Sequence, residues 1–76
     1  MSDLLRIETN PDVCSGKPVI RGTRVMVRNV LSMLKAGKSV EQVLASYPSL
    51  VREDVDAALD YAIELVDEVK LVLRAA

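Results

Sequence analysis

Three arginines cluster around a glycine in the first half of the chain. Arg21 and Arg24 flank Gly22, and Arg28 follows four residues later. A guanidinium group is a planar fork of donors that matches the oxygens of carboxylates and phosphates. The cluster therefore indicates contact with a partner's carboxylates or with nucleic acid, and a solvated hairpin is the structural alternative. Lys35 and Lys38 complete this candidate contact set for nucleic acid or a protein partner.

Acidic side chains recur in the second half of the chain at helical spacing. They are Glu53, Asp56, Asp60, Glu64, Asp67 and Glu68. A solvated helix face is the simpler interpretation, and a docking strip for a basic partner is the functional one. Carboxylates spread along one face do not converge on a cation, so no metal site is predicted.

Residues for nucleophilic catalysis are missing. The chain has no histidine and one cysteine, Cys14. These absences exclude His-activated nucleophiles, histidine zinc sites and internal disulfides, and we interpret Cys14 as a small buried residue. The segment around Gly16 and Lys17 is not a phosphate-binding loop, because Pro11 and Pro18 replace the required glycine and hydroxyl residue. We therefore predict no enzyme, no catalytic residues and no cofactor.

Length and charge distribution favour one small binding domain. The 76 residues carry a net charge of -1, but residues 1–38 hold seven basic and three acidic side chains. Residues 39–76 hold three basic and eight acidic ones, so the two halves suit different partners or each other. With no membrane span, no visible signal peptide and a lone cysteine, we expect a cytoplasmic protein that does not contact membranes.

Residues 1–26 predict a β-hairpin arm. β-branched residues punctuated by glycine and proline indicate short strands near 5–8, 18–20 and 24–26. Residues 27–76 then predict three helices. The first starts at Val27 and is closed by Gly37, and the second runs from a capping box at Ser39 to Pro48. The third starts at Val51 or Arg52 and extends toward residue 75. The expected fold is mostly α with a small β arm, a tri-helical unit similar to a helix-turn-helix, and an extended C-terminal helix.

The third helix carries an apolar seam that we expect to contact a partner or a second copy. Its candidate contact residues are Val55, Leu59, Leu65, Val66, Val69, Val72 and Leu73. A thin core without Phe or Trp favours self-association, so a homodimer is predicted. Whether residues 63–76 serve that dimer or a different protein stays open.

The helix order also allows DNA binding through the third helix. Its first turns hold Glu53, Asp54 and Asp56, whose charges would repel phosphates. We therefore expect any DNA contact to involve the hairpin and the first helix. A three-helix scaffold that binds no DNA is the alternative.

Residues 11–25, Pro-Asp-Val-Cys-Ser-Gly-Lys-Pro-Val-Ile-Arg-Gly-Thr-Arg-Val, resemble the signature of the bacterial domain-of-unknown-function family 433. The resemblance continues through residues 36–44 and 47–50 to 53–62, so it covers residues 7–62. Met26 replaces a proline of the pattern, and Val51 replaces the threonine that caps the third helix.

This resemblance implies a function that the residues alone do not. Such proteins look like the antitoxin half, similar to VapB, of a toxin–antitoxin pair whose toxin resembles a PIN-domain ribonuclease. The chain is then expected to bind and neutralise that ribonuclease, whose active site holds metal with clustered carboxylates, and to repress its own operon. A stand-alone DNA-binding dimer that regulates transcription is the alternative. Arg24 is the residue of the matching motif most suited to a functional contact.

Overall fold

The computed structural model describes residues 3–68. A 3-10 helix at Asp3–Arg6 leads into strand β1 (Ile7–Glu8), and a tight turn at Cys14–Gly16 precedes strand β2 (Val19–Ile20). Three α-helices follow: α1 (Val27–Lys35), α2 (Val40–Ser46) and α3 (Arg52–Glu68). The predicted fold class is confirmed, since the chain is mostly helical with a small antiparallel sheet at its N-terminal end.

The two strands pair antiparallel, with Ile7 opposite Ile20 and Glu8 opposite Val19. The predicted strand at 5–8 is shorter, because the 3-10 helix occupies the residues before Ile7. The strand at 18–20 loses Pro18, which has no N–H to give to a sheet. The prediction of a strand at 24–26 was wrong. Only an isolated bridge joins Met26 to Val19, because α1 begins at the next residue.

Local signals set both ends of the loop between α1 and α2, as predicted. Gly37 adopts φ +91°, a left-handed conformation, and its N–H donates to the Leu34 carbonyl while the Lys38 N–H donates to that of Met33. This pattern closes a helix with a glycine. At the start of α2, the Gln42 N–H donates to Ser39 Oγ and the Ser39 N–H donates to Gln42 Oε1. The predicted capping box is therefore present.

Helix α3 begins at Arg52 without a hydroxyl cap, because Val51 precedes it. The Asp54 carboxylate supplies half of a capping box instead. Its Oδ2 accepts the Val51 N–H at 2.9 Å, which satisfies one donor at the helix start.

One core joins the sheet to all three helices. It contains Ile20, Val27, Val30, Val43, Leu50, Val55 and Ala58. The Arg6 guanidinium also reaches α3, where it donates to Asp54 at 3.0 Å. This contact fixes the N-terminal segment against α3 and so helps to hold the residues that follow β2 in place.

Candidate functional site

Residues 20–25 form a tight turn, which we name the arginine turn, immediately after β2. The Ile20 N–H donates to the Val25 carbonyl at 2.9 Å, and the Thr23 N–H donates to the Ile20 carbonyl at 3.0 Å. Thr23 Oγ1 donates to the same Ile20 carbonyl at 2.8 Å and accepts the Val25 N–H at 3.0 Å. Gly22 supplies the left-handed residue, with φ +78°. Four hydrogen bonds and one left-handed glycine therefore hold these six residues in place.

The arginine turn exposes the side chains of Arg21 and Arg24. Arg21 Nε lies 3.7 Å from Glu8 Oε1, a weak surface ion pair between two partly exposed side chains. The Arg24 carbonyl accepts the Cys14 S–H at 3.5 Å, which ties the turn to the preceding one. Cys14 is half-buried rather than buried as predicted, and its backbone is left-handed, with φ +50°. Both arginine side chains are therefore exposed on a backbone that hydrogen bonds hold in place.

Arg28 lies beyond the turn, on the first turn of α1, at the rim of an apolar groove. The groove has a volume of about 230 Å³ and runs between α1, α3 and the segment before β2. Its lining consists of Lys17, Pro18, Val27, Arg28, Leu31, Tyr61, Ala62 and Leu65. Lys17 was missed as a site residue from sequence, because no spacing links it to Arg28. Its place beside Pro18 in the matching motif was the available signal.

The two lysines of the predicted contact set lie at the other end of α1. Arg28 and Lys35 are seven residues apart, so they share a helix face but are separated by about 10 Å along the axis. Lys38 follows the glycine that closes α1. The five cations therefore divide into three near the arginine turn and two at the C-terminal end of α1, where the helix dipole also favours positive charge.

The predicted contact residues of the third helix also divide. Val55 is fully buried in the core, so its side chain is not available to a partner. Leu59, Leu65 and Val66 are exposed by 40%, 43% and 58%. Ile63, which was not predicted, is 58% exposed beside them. Val69, Val72 and Leu73 lie outside the described residues.

The start of α3 presents fewer unpaired acidic side chains to solvent than the sequence predicted. Glu53 and Asp56 are exposed, but Asp54 is only 6% exposed and accepts from both Arg6 and the Val51 N–H. Its charge is therefore compensated inside the protein rather than presented to phosphates. Arg52 is exposed at the same end, with its guanidinium 3.6 Å from Glu41.

Within residues 3–68, no three acidic, cysteine or histidine side chains come together in a way that could hold a metal ion. No helix there combines the length and the apolar composition needed to cross a membrane.

Comparison with known proteins identifies relatives without a described activity. Residues 7–62 match the model of the family "Protein of unknown function (DUF433)". An uncharacterized protein, y4eO of Sinorhizobium fredii (strain NBRC 101917 / NGR234), is 45% identical over 56 residues, which are 74% of this chain and 25% of that protein. The chain thus spans about a quarter of that relative.

A solved structure shares the fold. The crystal structure of a DUF433 member from Anabaena variabilis ATCC 29413 superposes with a TM-score of 0.76 at 33% identity, covering 83% of this chain and 62% of the other. The matched region contains the arginine turn, α1, α2 and the first eleven residues of α3. With its signature, its fold and about three quarters of its length matched, the chain belongs to the DUF433 family.

Proposed function

We propose that this protein is an antitoxin-like binding protein that neutralises a PIN-like ribonuclease by placing the arginine turn against the carboxylates of its active site. The observation that carries the proposal is the rigid presentation of Arg21 and Arg24 on residues 20–25. The cytoplasm is the compartment in which such a partner would be met.

Rigidity matters because binding normally orders flexible side chains and loops at a cost in free energy. A turn that is already held by Thr23 and Gly22 leaves only the two arginine side chains to be ordered. Guanidinium groups make paired, charge-assisted hydrogen bonds with carboxylates. A cluster of metal-binding carboxylates is therefore a partner surface that complements the arginine turn in charge and in hydrogen-bonding groups.

The proposal is tested first by gene context and then by an RNA cleavage assay. We expect a PIN-like ribonuclease to be encoded beside this protein, and we expect the wild-type chain to protect RNA from it. Replacing Arg21 and Arg24 together by alanine should abolish protection without unfolding the protein, because both side chains are exposed. Lys38→Ala is the matched control, because it removes an exposed cation far from the turn. Full protection by the double variant would refute the proposal.

Binding of operator DNA is the second candidate, and the exposed Arg21, Arg24 and Arg28 favour it, because guanidinium groups bind phosphates. At the start of α3, two bonds hold the Asp54 carboxylate inside the fold, so one of the three charges expected to repel DNA there is already compensated. Arg52 stands exposed at the same helix end. The remaining exposed acids, Glu53 and Asp56, still make the arginine turn and α1 the more favourable DNA-contacting face.

A salt titration with the upstream DNA of the gene distinguishes these faces. If the arginine turn and α1 contact phosphates, neutralising Arg21, Arg24 and Arg28 should lower the slope of log affinity against log salt by about one unit per lost contact. If Arg52→Ala abolishes binding while the three arginine variants leave it unchanged, α3 is the reading helix. If the wild-type chain does not bind the DNA, the regulatory candidate is wrong.

A further inference from the structure

An exposed apolar stripe runs along the second half of α3. Leu59, Ile63 and Val66 follow the spacing i, i+4, i+7, so they lie on one face of the helix. Ala62 lies between this stripe and the apolar groove, since it lines the groove and also a shallow depression with Ile63 and Val66. The stripe and the groove therefore form one continuous apolar surface. Apolar residues scattered singly on a surface need no explanation, but a continuous apolar patch marks an interaction site.

The two edges of this surface carry opposite charges. On a helix with 3.6 residues per turn, Asp56, Asp60 and Asp67 lie on one side of the stripe. Tyr61 and Leu65 lie on its other side, where they line the groove whose rim carries Lys17 and Arg28. None of the ion pairs among the described residues uses either of these two cations. One edge is thus acidic and the opposite edge is basic.

We propose that the occupant of this surface is a second copy of the same chain, with the two α3 helices packed side by side and parallel. A two-fold axis parallel to the helices places the acidic edge of each copy against the basic edge of the other, so the same contact forms on both sides of the pair. An antiparallel pair has its axis across the helices and places acid against acid and base against base. Charge complementarity therefore selects the parallel arrangement, with Asp60 facing the rim around Arg28.

This inference does not depend on the antitoxin proposal. It assigns the stripe to self-association and leaves the arginine turn, which contributes no residue to the groove, available for another partner. Docking of a different protein on the stripe would leave the isolated chain monomeric, so the oligomeric state of the pure protein separates the two occupants.

Cysteine cross-linking of the full chain tests the direction of the helices. In a background with Cys14→Ser, Leu59→Cys and Val66→Cys are prepared separately and oxidised at about 50 µM. Parallel helices bring each position next to its own copy, so both single variants should form disulfide dimers. Antiparallel helices instead bring position 59 of one copy next to position 66 of the other. Equivalent positions of the two copies are then about 10 Å apart along the axis, which is too far for a disulfide. Cross-linking only in a mixture of the two variants would overturn the parallel arrangement.

Charge reversal tests the contact between the edges, with sedimentation equilibrium as the measurement. Wild type should sediment at twice 8.3 kDa, whereas Arg28→Glu and Asp60→Arg should each weaken self-association at least tenfold. Mixing these two variants should restore the dimer, because each chain then contributes the edge that the other lacks. Lys38→Glu changes the net charge as much as Arg28→Glu but lies at the far end of α1, so it should sediment like wild type. A monomeric wild type, or a mixture that does not restore the dimer, would overturn the proposal.

Discussion

The guanidinium of Arg6 lies 3.0 Å from the carboxylate of Asp54, although 48 positions separate the two residues. This contact fastens the segment before β1 to the first turn of α3. Asp54 is buried and its other oxygen accepts the Val51 N–H, so one side chain both starts the helix and holds the N-terminal segment. The contact between Arg6 and Asp54 also positions the arginine turn, because the Arg21 N–H donates to the Arg6 carbonyl.

Removing the Asp54 carboxylate should destabilise the protein more than removing Arg6. Asp54→Ala leaves the Val51 N–H without its acceptor and Arg6 without its partner, and we expect the free energy of unfolding to fall by about 2 kcal/mol. Arg6→Ala should cost less than about 1 kcal/mol, because its side chain is 43% exposed and the ion pair is partly screened. Urea denaturation measures both, with exposed Asp56→Ala as the control. Equal losses for Asp54→Ala and Asp56→Ala would contradict this role.

A hydroxyl at position 51 should stabilise the protein. Val51 is 49% exposed and immediately precedes α3, while Asp54, three residues later, already accepts its N–H. Val51→Ser would complete the capping box by sharing the Asp54 N–H, which already donates to the Val51 carbonyl at 2.9 Å, so the expected gain is about 0.5 kcal/mol. The midpoint of urea unfolding should rise, and Val51→Ala, which removes the same apolar side chain without adding an acceptor, is the control. A gain of the same size in both variants would assign the effect to lost surface hydrophobicity instead.

Thr23 should control the shape of the arginine turn through its hydroxyl group. Thr23→Val keeps the side-chain volume but removes the bonds to the Ile20 carbonyl and from the Val25 N–H. We expect a loss of about 1–2 kcal/mol in stability and faster amide exchange at Val25. Thr23→Ser keeps the hydroxyl and should stay within a few tenths of a kcal/mol of wild type. Unchanged exchange at Val25 in the valine variant would show that the backbone bonds alone fix the turn.

Helix boundaries were predictable because their signals are local. Gly37 closes α1, the Ser39 and Gln42 pair opens α2, and Pro48 follows its end, each through contacts within a few residues. The turn function of Gly22 and Thr23 was recognisable for the same reason.

Long-range packing explains what the sequence interpretation missed. The buried role of Asp54 depends on Arg6, which no short-range pattern connects to it. Val55 was assigned to a partner because its heptad spacing fits the seam. Its side chain is instead buried in the core between α3 and the other helices. Ile63 was missed because it lies off that seam, and it becomes part of the exposed stripe only where α3 extends past the core.

We propose that Arg21 and Arg24 bind the active-site carboxylates of a PIN-like ribonuclease, and a calorimetric double-mutant cycle tests this contact most directly. The wild-type chain and Arg24→Ala are titrated against the adjacent ribonuclease and against a form of it whose metal-binding carboxylates are replaced by amides. We expect Arg24→Ala to weaken binding to the native ribonuclease at least tenfold, which is about 1.4 kcal/mol, and to have little further effect on the amide form. The same loss against both forms, or no loss against either, would contradict the claim.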